Sequence, residues 1–344
     1  MSPLNCRNTN ARQIWLLVMS TVITGISGFV GFHLSKRLLA RGEQVIGIQC
    51  ETNLQSNAKA RVDELKHSAN ANHLTLIEAD LSELTPVNDI MSAHQPVTVI
   101  HLSQYQNNVA TAQKSVSHTM NLLEACRLNQ VQHCILNSSH AVYFPHQHSA
   151  MSVHELTEHP RNLQGATARA NELFAHSMSL EHQLPCTIVR LFNTYGEGAD
   201  DDSLVQMLWN KVQAENEIDI TPYLGHEFDF TYIDDVCNCL IRLLEHPAKP
   251  DPDWELDEDH LNSSDAPWRI YNIGTGNGTD ILGLIELLEV ILGKKAKLTQ
   301  SDKVAATQSN YKQIADTTEL LQETAYQPRT SLKEGLQRIK QARF

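Results

Sequence analysis

Three glycines spaced Gly25-x-x-Gly28-x-x-Gly31 carry the most direct chemical signal in this chain. Where such a turn follows a strand and opens a helix, the first glycine makes the tight turn. The second lets backbone approach a pyrophosphate, and the third lets helix pack on strand. The free N–H groups of the helix start then face the anion. Ile26, Ser27, Phe29 and Val30 supply the rest of that backbone. A second pair, Ser139-His140, sets a hydroxyl beside an imidazole that titrates near neutrality and could serve as a base. As a hydrolase pair it lacks a nucleophile elbow and an orienting acid. Histidines also cluster at His140, His146, His148, His154 and His159. His146-x-His148 could give two ligands to zinc or nickel, but a polar loop is the simpler reading and no metal site is expected.

The elements that would position these groups alternate. Ser20–Thr24 reads as a buried strand, followed by the glycine turn and a helix through Leu34, Leu38 and Leu39 that Gly42 closes. Gln44–Ile48, Leu74–Glu78, Val97–Leu102, Cys134–Asn137 and Pro185–Leu191 read as further strands, with helical stretches between them. A helix over Leu163–His182 carries Ala166, Ala170, Leu173, Phe174 and Leu180 on one face. The alternation predicts an α/β fold, a parallel sheet with helices on both faces. Beyond residue 195 the pattern is less regular. Asp200–Asp202 and residues 247–267 read as solvated loops, and Ile281–Leu292 as an apolar helix ended by Gly293.

The chain has 344 residues, enough for about two domains. Apolar residues make up 41% and charged residues 19%, which excludes a wholly disordered chain. A net charge of −13 gives no general attraction for nucleic acid or an anionic membrane, although a local phosphate site can run against it. Seven cysteines without a C-x-x-C pair fit reduced thiols and a cytoplasmic location. From Gln13 to Phe32 there is no charged residue. The strand–turn–helix reading explains that stretch better than a membrane anchor does. Residues 1–19 are expected to be an extension or a mis-called start.

A longer series of motifs occurs in order: Thr24–Gly31, Asp80-Leu81, His101-Leu102, Leu123–Arg127, Ser138-Ser139, Arg190-x-x-Asn193-Thr-Tyr-Gly196, Asp229–Asp235 and Tyr271–Gly274. In this the chain resembles the extended short-chain dehydrogenase/reductases of the NAD-dependent epimerase/dehydratase group, with UDP-glucuronate 4-epimerases as the nearest branch. The resemblance implies a Rossmann-type doubly wound parallel sheet over residues 20–190. Residues 191–344 would mainly form a smaller α/β domain for the nucleotide sugar, with about 226–246 returning to the first domain. It implies NAD held by Gly25, Ser27, Gly28, Phe29, Val30, Gly31, Gln49, Asp80, Leu81 and Leu102, and substrate contacts from Asn193, Phe228 and Tyr232. It also implies pairing through two helices near 110–129 and 163–182, as a homodimer or with an active paralogue.

In such enzymes a tyrosine phenolate takes the sugar hydroxyl proton while hydride passes to NAD. A lysine four residues on lowers the tyrosine pKa, and a Ser or Thr completes the proton path. Here Ser139 keeps the last role, but the tyrosine position is Gln164 and the lysine position is Ala168. A glutamine amide does not ionise, and alanine brings no charge to shift a pKa. No tyrosine lies between Tyr143 and Tyr195, so only Tyr143 itself could be recruited. The ribose-binding acid is replaced by Gln49 and a phosphate-binding arginine by Phe228; Glu51 and Lys303 lie near the altered positions. Ser115 stands for a usual asparagine and His118 for a common glycine. These departures point to a non-catalytic or altered nucleotide-binding homologue. The alternative is an active 4-epimerase or dehydratase of UDP-uronates or UDP-hexoses that uses a substitute base.

Overall fold

The computed structural model describes residues 20–50, 56–102, 107–144, 150–255, 260–301 and 311–342. The extension 1–19, Glu51, His146, His148 and Lys303 lie outside them.

Val22 and Ile23 are adjacent, point to opposite faces of their strand, and are both fully buried. A strand buried on both faces belongs inside a helix-covered parallel sheet. The chain runs β1 (Ser20–Thr24), α1 (Phe29–Ala40), β2 (Gln44–Gln49), α2 (Ser56–Lys66), β3 (Leu74–Glu78), α3 (Leu84–His94), β4 (Thr98–His101), α4 (Val109–Leu128), β5 (His133–Ser139), α5 (Leu163–His182) and β6 (Cys186–Leu191). It continues through β7 (Asn193–Tyr195), α6 (Leu204–Gln213), β8 (Glu217–Asp219), β9 (His226–Tyr232), α7 (Ile233–Leu244), β10 (Trp268–Ile273), β11 (Gly278–Asp280), α8 (Ile281–Leu292), β12 (Lys297–Thr299), β13 (Tyr311–Gln313), α9 (Thr318–Thr324) and α10 (Leu332–Ala342).

The main sheet has seven strands in the order β3-β2-β1-β4-β5-β6-β10, all parallel. This is the Rossmann-type doubly wound arrangement, with its order reversing between β1 and β4. One apolar core joins Ile23, Val45, Ile100, Ile135 and Val189 to α1 and α7. The other joins Val22, Ile46, Val99, Leu136 and Ile188 to α4 and α5. Two late segments return to this body: α7 packs on α1, and β10 adds the edge strand beside β6. The remaining strands form a smaller sheet, in which β9 pairs with β7, β11 and β13, and a two-stranded β8–β12 ribbon.

Helix α5 spans the expected residues, and its apolar residues divide: Phe174 packs on the core, Ala170 is half-buried and three others lie outside. Ala166, Leu173 and Leu180 are exposed, while Gly165, Thr167, Ala168, Asn171, Glu172, Ala175 and Ser179 face in. Asp200, expected in a solvated loop, pairs instead with the buried Arg61 on α2. Cys126, Cys134, Cys186, Cys237 and Cys239 are buried free thiols. No described helix is long and apolar enough to cross a membrane. No group of three His, Cys, Asp or Glu among the described residues is set to hold a metal ion.

Candidate active site

The carboxyl ends of the parallel strands gather the sequence-derived residues on one rim: Gly25 after β1, Gln49 ending β2, Asp80 after β3, Leu102 after β4, Ser139 ending β5 and Asn193 after β6. In sheets of this topology that rim, at the order reversal, is where nucleotides bind.

The glycines are demanded by geometry. Gly25 has φ +69°, and a Cβ there would sit 2.5 Å from the Leu102 carbonyl oxygen. A Cβ on Gly31 would sit 2.3 Å from the Gly25 carbonyl oxygen, so helix and turn touch only because both are glycine. Helix α1 starts at Gly28 with no side-chain cap and no acid in its first turn, leaving its end electropositive toward the rim. At the end of β2, Gln49 is buried. Its Nε2 donates to Glu78 Oε1 at 3.0 Å across the β2–β3 register. Its Oε1 is buried with no hydrogen-bond partner among the described residues. An acceptor orphaned in this way costs stability unless something donates to it, and a ribose hydroxyl would. Leu81 and Leu102 are buried, and Asp80 sits exposed at the rim, taking an N–H from Ser82 at 2.9 Å. The residues present fit an adenosine dinucleotide.

Arg61 ties this cradle to the far side of the cleft. The buried guanidinium donates to the Ser27 carbonyl at 3.1 Å and the Gly198 carbonyl at 2.7 Å, pairs with Asp200, and lies over the Phe29 ring. Nothing in the sequence marks it, because two of its partners, Gly198 and Asp200, lie more than a hundred residues away and Ser27 and Phe29 lie across the glycine turn.

Ser139 is buried, and its Oγ accepts the Ala141 N–H at 3.1 Å, which leaves its own O–H free to donate. His140 follows, its ring 5.5 Å from that of Phe192 and its Nδ1 3.3 Å from the Leu191 carbonyl oxygen. Gln164 lies in the first turn of α5, half-buried. Ala168 is fully buried in an apolar cluster with Val142, Tyr143, Met151, Phe192 and Ala315. Tyr143, the one tyrosine that the sequence left for recruitment, is engaged in the interior. It is almost fully buried, its Oη donates to Asn272 Oδ1 at 2.7 Å, and Arg190 Nη1 donates to it at 2.9 Å. Burial pushes its pKa up although Arg190 opposes the shift.

Beneath the rim Arg190 forms a bidentate pair with Glu172, through Nε at 2.9 Å and Nη2 at 2.8 Å, and Ser138 Oγ donates to the same carboxylate at 2.6 Å. Burial works to raise the Glu172 pKa, but Arg190, Ser138 and Arg169 outweigh it and hold it below the ordinary value. The motifs carrying Ser138, Arg190 and Asn272 were visible in the sequence; their pairing with Glu172 and Tyr143 was not. Ser115, in place of an asparagine, takes a 3.0 Å hydrogen bond from Asn171, and His118 Nε2 lies 3.4 Å from Asp80.

The three expected substrate contacts are engaged internally. Asn193 Nδ2 donates to the Asp229 carbonyl at 3.1 Å. Tyr232 Oη donates to the Glu197 carboxylate under the Arg338 guanidinium. Phe228 is buried among Tyr223, His226 and Phe230.

Comparison with known proteins agrees with this geometry. The model of the NAD dependent epimerase/dehydratase family matches residues 21–274. An uncharacterized 37.6 kDa protein of Escherichia coli O111:H- is 32% identical, over 92% of this chain and 96% of its own. A probable UDP-glucuronate 4-epimerase of Rhizobium meliloti is 25% identical, over 93% of this chain and 96% of its own. The fold superposes with TM-score 0.76 on the UDP-glucuronic acid 4-epimerase of Bacillus cereus, solved with UDP-glucuronic acid and NAD, at 23% identity and over 94% and 100% of the two chains. The chain therefore belongs to the NAD-dependent epimerase/dehydratase family.

Proposed function

We propose that this protein binds NAD and a nucleotide sugar, as an altered homologue of the nucleotide-sugar epimerases that has lost the tyrosine–lysine proton relay. The observation that carries this reading is Ala168, enclosed in an apolar cluster at the lysine position, with the un-ionisable Gln164 one turn before it. General acid–base groups are worth about 10²–10⁴-fold in rate, so their loss changes what the site does. Binding is supported separately by the glycine cradle and the unpaired Gln49 acceptor. The B. cereus protein of the same fold was solved with both ligands.

NAD, when bound, supplies a hydride acceptor. Gly25–Gly31 and the start of α1 would hold its pyrophosphate, Gln49 would take a ribose hydroxyl, and Leu81, Leu102 and Asp80 would border the adenosine. Residues 20–190 carry the dinucleotide, and most of 191–344 forms the sugar-nucleotide side. Ser139 donates its O–H toward the sugar. The outward apolar faces of α4 and α5 are the pairing surface for a second copy or an active paralogue. The protein is cytoplasmic on this reading.

A second reading, an active 4-epimerase or dehydratase of UDP-uronates or UDP-hexoses with a substitute base, is favoured by one observation, the imidazole of His140 beside Ser139. Calorimetric titration of the NAD-saturated protein with UDP-glucuronate tests the shared claim. One saturable site per chain is expected; absence of binding at millimolar ligand contradicts it.

A further inference from the structure

We infer that His140 is the general base of this altered site, accepting through Nε2 the proton of the sugar hydroxyl that is oxidised. The inference rests on the nucleotide-sugar reading above.

A carbonyl oxygen only accepts, so the 3.3 Å contact between His140 Nδ1 and the Leu191 oxygen places a proton on Nδ1. Burial lowers the His140 pKa from its ordinary value, the Leu191 carbonyl opposing only in part, so the ring is neutral at neutral pH. A neutral imidazole protonated on Nδ1 has its lone pair on Nε2. No described residue bonds that atom.

The location suits the role. His140 begins the turn after β5, directly beyond Ser139, and its carbonyl contact lies at the end of neighbouring β6. Its ring lies against Phe192, which shares an apolar cluster with Ala168. The first turn of α5 packs on the same turn. The imidazole thus borders the ground vacated by the usual relay. The charged groups on the elements packed against it are Arg190, Glu172 and Arg169, which pair with one another. Tyr143 is held protonated, and Leu191, Phe192 and Gln164 add no charge.

In the step, the hydroxyl O–H proton passes to His140 Nε2 while the adjacent carbon releases its C–H electron pair as hydride and a C=O bond forms; NAD, when bound, would supply the acceptor for that hydride. Returning hydride restores the C–H, and the imidazolium returns the proton to oxygen. Two electrons leave the sugar and two come back, so no outside oxidant is consumed.

Nitrogen-15 NMR of the unliganded protein is the first test, with His140 assigned by its loss in His140→Gln. A neutral ring with Nδ1 protonated is expected at pH 7; protonation on Nε2 overturns the proposal. The second mixes NAD-loaded protein with UDP-glucuronate and follows reduced nicotinamide by absorbance in a single turnover. The expected rate rises with pH across a group titrating below 6.5. It falls about 100-fold in His140→Gln, with sugar-nucleotide affinity little changed, and added imidazole partly rescues His140→Gly. Binding of both ligands with no reduction in the native chain, or an unaltered rate in His140→Gln, overturns the assignment. Failure of either ligand to bind instead removes the underlying reading.

Discussion

Gly165 lies hard against Ala141: a Cβ at position 165 would stand 2.1 Å from the Ala141 carbonyl oxygen. That approach seats the first turn of α5 on the turn carrying Ser139 and His140, and fixes residue 164 at the rim whatever its side chain. A phenol placed there, with an ammonium at 168, would meet the retained Ser139. Gln164→Tyr with Ala168→Lys should raise C4 inversion of UDP-glucuronate by about 100-fold or more over the native chain. Gln164→Tyr alone should gain much less, because no cation lowers the new phenol's pKa. NMR of the product uronate reads both. A double variant no faster than the native chain would show that the loss extends beyond the relay.

The Glu172–Arg190 pair makes a stability prediction. Each side chain is almost wholly buried, and removing one partner strands the other's charge. Arg190→Met and Glu172→Leu should each cost about 3–5 kcal/mol in denaturant unfolding. The double variant should cost clearly less than their sum, because the partners share one interaction. Additive losses would mean that the two groups act independently.

Two histidines set an acid limit. Burial lowers His101 to about 3 and His133 to about 4. Thr119 gives its proton to the Ser115 carbonyl, so it accepts from His101 Nε2, and Thr24 donates to Nδ1; the neutral ring is satisfied. Below the ordinary value of 6.5 the unfolded chain binds these protons and the folded chain does not. Stability is therefore retained above that pH and lost as pH falls toward the folded values. The two together should cost about 3 kcal/mol per pH unit between about 6 and 4. His133→Gln should flatten the slope by one proton. Equal slopes in variant and native protein would contradict the assignment.

The proposed pairing surface rests on the outer side of α5. Its inner side is filled by Thr167, Ala168, Asn171 and Glu172, so Leu173 and Leu180 are left exposed. With α4 it forms a groove of about 670 Å³ lined by Val109, Ala112, Val116, Met120, Ala166 and Ala170. Contiguous exposed apolar surface of this kind marks an interface. Sedimentation should show a dimer that Met120→Glu with Leu173→Glu converts to monomer; an unchanged mass excludes this face.

Much of this was legible in the sequence because some local rules leave few alternatives. Gly25, Gly28 and Gly31 were readable as a unit because the strand, turn and helix around them constrain one another. Residues 163–182 were readable as one helix from their 3.6-residue pattern. Which of its side chains turn inward was not, since the stripe does not show that Glu172 occupies the inside to pair with Arg190. Asp200 read as solvated because its partner Arg61 is 139 positions away. The Gln49–Glu78 contact depends on the β2–β3 register, which no local pattern gives. Gln164, Ala168 and His140 were identifiable by position, yet the tautomer of His140 needed the Leu191 carbonyl to be located.

The central claim is that the dinucleotide cradle is retained while the tyrosine–lysine relay is gone. Calorimetric titration of the purified chain with NAD tests it most directly. Saturable binding of one NAD per chain, weakened by Gly31→Val, is the predicted result. No heat and no retention of NAD at millimolar concentration would contradict it.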